Sequence, residues 1–120
     1  MKANELRIGN FVNYEGKSKC INLKDFENFL YYPSDDRKNE PIPITKEWLI
    51  KFGFVIDNDF DNTFIDNTSL KDCVLIYDTN AKMFIIESDR DTIQFKHIKH
   101  VHQLQNLYFA LTQKELIIKE

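Results

Sequence analysis

Glycine is scarce in this sequence, at three residues in 120. A P-loop or a dinucleotide-binding turn needs several glycines within a few positions, so both are excluded. The metalloprotease HExxH and the nucleophile-elbow GxSxG are also missing. Cysteine is limited to Cys20 and Cys73 with no CxxC spacing, which excludes a zinc ribbon or a disulfide scaffold. The two are expected to be reduced thiols of the core. A basic surplus is lacking too. Lys and Arg number 16 against 19 Asp and Glu, giving a net charge of −3 and a pI near 5.6. Binding to nucleic acid is therefore not expected, since phosphate contacts need clustered Lys and Arg. No apolar run approaches the roughly 18 residues of a membrane span. The opening "MKANELRIGN" has no apolar signal region. The chain reads as cytoplasmic.

Aromatic residues are abundant, with ten Phe and five Tyr in a chain that is 42% hydrophobic and 29% charged. Such a composition suits one soluble domain with an aromatic core, long enough to bury roughly two-thirds of its unfolded surface without a staple. Aromatics also favour strands.

An N-terminal β-hairpin is expected over residues 5–24, with its turn at Gly16 and apolar positions at Ile8, Phe11, Val12, Cys20, Ile21 and Leu23. "LKDFENFLYY" carries both helical and strand spacings and is read as a short helix. A polar loop follows over 33–43. "PIPITKEWLIKFGF" gives a helix over 46–52. Thr45 serves as N-cap, Ile44 and Leu49 as a staple, and Gly53 as the left-handed stop. Trp48, Leu49 and Phe52 form its apolar face. Strands fill 54–98. Phe54, Ile56, Phe60 and Phe64 share one parity, with a turn near Asn58-Asp59. "CVLIYDTNAKMFIIES" is a hairpin turning at Thr79–Lys82, and "DTIQFKHI" is a further strand. A C-terminal helix covers 100–112. The fold class is α+β: two curved antiparallel sheets, or one small antiparallel or barrel-like sheet, with the short middle helix and the C-terminal helix packed on it.

Three histidines fall within six residues in "HIKHVH". A strand would put His100 and His102 on one face, and a helix would pair His97 with His100. Neither gathers the three or four ligands zinc requires, so no metal is expected. His97 and His100 read instead as surface residues beside a small basic edge, Lys96 and Lys99, able to attract an anion. "DNDFDN" (57–62) imitates a calcium loop. It fails at Asn62, where Gly is needed, and at Thr68, where a bidentate Glu is needed.

The last helix says more. Val101, Leu104, Leu107, Tyr108 and Leu111 form one wide apolar stripe at helical spacing. Beside it lies a mixed strip of His102, Gln105, Asn106 and Phe109. An aromatic plate next to amides can recognise a ligand. The plainer alternative buries Phe109 in the core and has His102 bonded to a backbone group. A candidate ligand site therefore comprises Lys96, Lys99, His102, Gln105, Asn106 and Phe109, with no catalytic residue and no cofactor.

Three segments, "ANELRIGNFV" (3–12), "PIPITKEWLIKFGF" (41–54) and "IKHVHQLQNLYFALTQKEL" (98–116), together resemble a group of small proteins of Bacteroidetes phages, prophages and mobile elements. Two positions depart from that pattern: His100 stands where an aromatic is expected, and Gln113 where Gly is expected. The resemblance implies a setting rather than a reaction. It suggests a non-enzymatic accessory protein that binds a host or phage protein, as a homo-oligomer. The alternative is a small-molecule binder that sequesters a nucleotide signal of host immunity.

Overall fold

The computed structural model describes residues 5–31, 39–57, 63–66 and 72–119. The turn near Asn58-Asp59, Phe60, Asn62, Thr68 and residues 33–38 of the polar loop lie outside them.

The described residues form two antiparallel sheets and three helices. The N-terminal hairpin pairs β1 (Phe11–Tyr14) with β2 (Lys17–Cys20). Glu15 and Gly16 both have positive φ, 51° and 84°, the type I′ geometry that suits the right-handed twist of a hairpin. Helix α1 (Leu23–Tyr31) follows. Asn22 Oδ1 accepts from the Asp25 N–H at 3.0 Å, and Asp25 Oδ2 accepts from the Asn22 N–H at 2.8 Å. This reciprocal cap is why an ambiguous segment folds as helix. Phe26 packs with Leu6, Val12 and Ile21 in a small core beneath the first sheet. Leu23, an apolar position of the sequence pattern, is exposed.

The polar loop is shorter than expected at its far end. Asn39–Glu40 form β3 and pair with β1, giving the strand order β2-β1-β3. The chain then enters α2 (Lys46–Lys51). The Trp48 N–H donates to Thr45 Oγ1 at 3.3 Å, and Gly53 takes φ +92°, so both ends follow the expected caps. Phe52 is the C-cap rather than the last helical residue.

Strands β4 (Val55–Ile56), β5 (Thr63–Asp66), β6 (Cys73–Asp78), β7 (Met83–Ser88) and β8 (Thr92–Phe95) form a five-stranded meander in chain order. Asp78 Oδ1 accepts the N–H groups of Asn80 and Ala81 at 2.9 and 3.2 Å, which closes the β6–β7 turn. The register places Phe64, Tyr77, Phe84 and Phe95 in one row across the sheet. That row faces α3 (Val101–Thr112) and α2. Leu49, Phe52, Leu75, Phe84, Val101 and Leu104 are the buried centre. The rings of Tyr77 and Phe84 pack tilted at 49°, with centroids 4.6 Å apart. Ile56, of the same parity as Phe64, is exposed at the sheet edge.

The α3 end of the molecule is tied in by backbone. The Val101 N–H donates to Ile42 O at 2.8 Å and the Ile44 N–H to Lys99 O at 3.2 Å. His100 is the N-cap, and Gln103 Oε1 accepts from the Lys99 and His100 N–H groups at 2.8 and 3.0 Å. At the other end Gln113 takes φ +63° and donates to Phe109 O. Gly would take this left-handed position without strain. Beyond it, Leu116 enters the core and the Lys119 N–H donates to Lys51 O at 2.7 Å.

Candidate functional site

The strip on α3 is assembled as the helical spacing requires, but its polar groups meet the chain's own N-terminal segment. Gln105 is 1% exposed. Its Oε1 accepts the Phe11 N–H at 2.8 Å and its Nε2 donates to Gly9 O at 2.9 Å. The side-chain amide thus supplies both halves of a peptide pairing for backbone that enters β1. Asn106 Oδ1 accepts from Arg7 Nε at 2.8 Å and from Asn10 Nδ2 at 2.9 Å, while its Nδ2 donates to Glu5 O at 3.2 Å. Asn10 is fully buried, and its Oδ1 accepts the Arg7 N–H at 2.6 Å. Arg7 completes the seam. It donates to Gln105 O, forms an ion pair with Glu115 at 2.7 Å, and lies 4.4 Å over the Phe109 ring. Phe109 is therefore half-buried beneath a cation rather than placed in the main core.

His102 is 3% exposed. Its ring stacks on that of His100, with centroids 6.0 Å apart and planes 13° apart. Nδ1 has no hydrogen-bond partner. Burial pushes the His102 pKa below the usual imidazole value, and the His100 ring lowers it further, while Glu5 opposes. Both causes favour the neutral ring. The expected alternative, a His102 satisfied by a backbone group, does not hold at Nδ1.

The basic edge does not join this strip. Lys96 is exposed in the turn after β8. Lys99 Nζ donates to Lys82 O at 3.0 Å, at the β6–β7 turn. There it lines a cleft of about 340 Å³ with residues 43–46, Tyr77, Thr79 and Lys82. Burial raises the Tyr77 pKa and the neighbouring Asp78 raises it further, which favours the neutral phenol as a hydrogen-bond donor.

A third feature is the outer face of the five-stranded sheet. Register puts Val55, Ile65, Ile76, Ile85 and Gln94 in one row. Val74 and Met83 flank it in the adjoining rows, with Asp78 and Glu87 as the acids. Val55 is 54% exposed and Ile65, Ile76 and Ile85 are half-buried. Neither core cluster includes any of these aliphatics.

The cysteines correct an expectation. Neither is in a disulfide, but Cys20 is exposed and Cys73 half-buried rather than in the core. Desolvation raises the Cys20 pKa, and Asp25 and then Glu115 add to it, so its thiol is not activated. Among the described residues, no three His, Cys, Asp or Glu side chains gather as a metal site, and no helix is long and apolar enough to cross a membrane.

Sequence reading missed Arg7, Asn10, Lys46, Lys82 and the outer aliphatic row. The last had a signal: "CVLIY" and "MFII" are apolar at both parities, which marks a strand with two apolar faces. Compared with known proteins, the chain matches no family model, no curated protein and no solved structure.

Proposed function

We propose that the chain is a non-enzymatic accessory protein of a phage or mobile element that acts by binding protein. The outer face of the five-stranded sheet is its contact surface, and the occupant is a second copy of itself. One observation carries this reading: a continuous aliphatic row, Val55–Ile65–Ile76–Ile85, crosses four strands outside both cores. Four strand widths of about 4.8 Å by about 17 Å along the longer strands give a face on the order of 300 Å². Patches of that size on a monomer are often functional.

Self-association suits the layout of this face. The apolar row is central and each adjoining row carries an acid, Asp78 on one side and Glu87 on the other, so a two-fold axis through its middle lays like on like. Two such sheets stack as a β-sandwich does, with β-branched side chains interdigitating. Asp78 and Glu87 then lie at the rim, where water screens them. The area is small for an obligate dimer, so the expected dimer is weak and concentration-dependent. The α3 strip supports the reading from the other side, because its amides are bonded within the chain.

Sedimentation velocity over a hundredfold range of concentration tests this. The native chain is expected to shift from monomer toward dimer, and Ile76→Lys to remain monomeric with unchanged far-UV circular dichroism. A native chain that stays monomeric throughout, or an Ile76→Lys variant that still dimerises, rejects the proposal.

A further inference from the structure

The cleft between the 43–46 segment and the β6–β7 turn collects three lysines, Lys46, Lys82 and Lys99. None of them forms an ion pair with a carboxylate among the described residues. The chain as a whole carries a net charge of −3, so three like charges around one cleft are not a consequence of composition. They repel one another, and folding alone gives no reason to gather them. The nearby Asp78 does not neutralise them. It alternates with Tyr77 along β6, so it projects from the opposite face, and its carboxylate is bonded to the turn amides.

The rest of the lining is equally specific. Lys99 Nζ is fixed by its bond to Lys82 O, which uses one of three donors and leaves two. The Tyr77 side chain borders the cleft from the aromatic core. Pro43 and Ile44 add apolar lining. A volume of about 340 Å³ is at the lower end for small-ligand pockets.

We propose that this cleft binds a small phosphorylated molecule, with Lys46, Lys82 and Lys99 around the phosphate and the organic body against Pro43 and Ile44. The site is distinct from the outer sheet face, since Tyr77 is of the inner parity. It goes beyond the protein-binding reading and stands or falls separately.

Nitrogen-15 NMR titration of the full chain with inorganic pyrophosphate, inorganic phosphate and adenosine monophosphate tests the proposal. Pyrophosphate is expected to move the resonances of residues 43–46, 79–82 and 99, with affinity falling as salt is added. Lys46→Gln, Lys82→Gln and Lys99→Gln are each expected to weaken it about tenfold, the worth of one charge-assisted hydrogen bond. All three sites are exposed, and a thermal melt of each variant checks that the fold is kept. Lys17→Gln, on the first sheet, is the control and should bind as the native chain does. Equal affinity in the three cleft variants, or shifts centred on other lysines, overturns the site. Adenosine monophosphate should bind more tightly than inorganic phosphate, and equal affinities overturn the organic half of the proposal.

Discussion

The two faces of the five-stranded sheet are built from alternate residues of the same strands, and both are apolar. The inner face carries Phe64, Leu75, Tyr77 and Phe84, buried beneath the helices. The outer face carries Val55, Ile65, Ile76 and Ile85, which join neither core. Their chemistry differs mainly in size, with aromatic rings inside and β-branched chains outside. The difference shows that hydrophobicity alone does not decide burial here. What decides it is where α2 and α3 can dock, and aromatic rings give those helices more area to cover. An apolar face left over after docking is a surface with a use or a liability.

The sharpest way to break the comparison is to substitute neighbouring residues that lie on opposite faces. Phe84→Ala opens a cavity in the inner row and is expected to cost about 3–5 kcal/mol. Ile85→Thr, the next residue on the outer face, should cost about 1 kcal/mol or less in dilute monomer. Urea denaturation at low concentration measures both. Equal losses would mean that the outer face is covered too.

A smaller effect is expected at the seam, where hydrogen bonds rather than area hold α3 to the N-terminal segment. Gln105→Ala strands the Phe11 N–H and the Gly9 carbonyl, and about 2–3 kcal/mol should be lost. Protection of the Phe11 amide against hydrogen exchange should fall with it. A loss within experimental error would mean that water replaces the amide at no cost. The smallest change has the opposite sign. Gln113 holds a left-handed conformation, so Gln113→Gly should gain about 0.5–1 kcal/mol in the same urea measurement. A destabilised variant would show that the Gln side chain contributes something the backbone geometry does not reveal.

Local structure was largely legible in the sequence, because caps and turns are short-range physics. Thr45 and Gly53 bound α2, Gly16 turns the first hairpin, and Thr79–Lys82 turn the later one. The division into two sheets was open beforehand, since β3 is two residues inside a polar stretch and is fixed only by pairing with β1. The α3 strip was found with the correct spacing. Its partners were not, because Arg7 and Asn10 lie about a hundred residues away along the chain and nothing local links them to Asn106. The basic edge is divided in the structure. Lys99 does line a cleft, but with Lys46 and Lys82, which only the return of the β6–β7 turn brings near. Exposure of Cys20 was also hidden, since strand alternation on a three-stranded sheet does not say which side the helix covers.

The most direct test of the central claim is an isotope-filtered NMR experiment on a sample mixed from methyl-labelled and unlabelled chains at high concentration. Intermolecular contacts among the methyl groups of Val55, Ile65, Ile76 and Ile85 are the predicted result. Intermolecular contacts that instead involve Leu23, Ile50 or Ile117, or none at all, would contradict the claim that this face is where the protein binds.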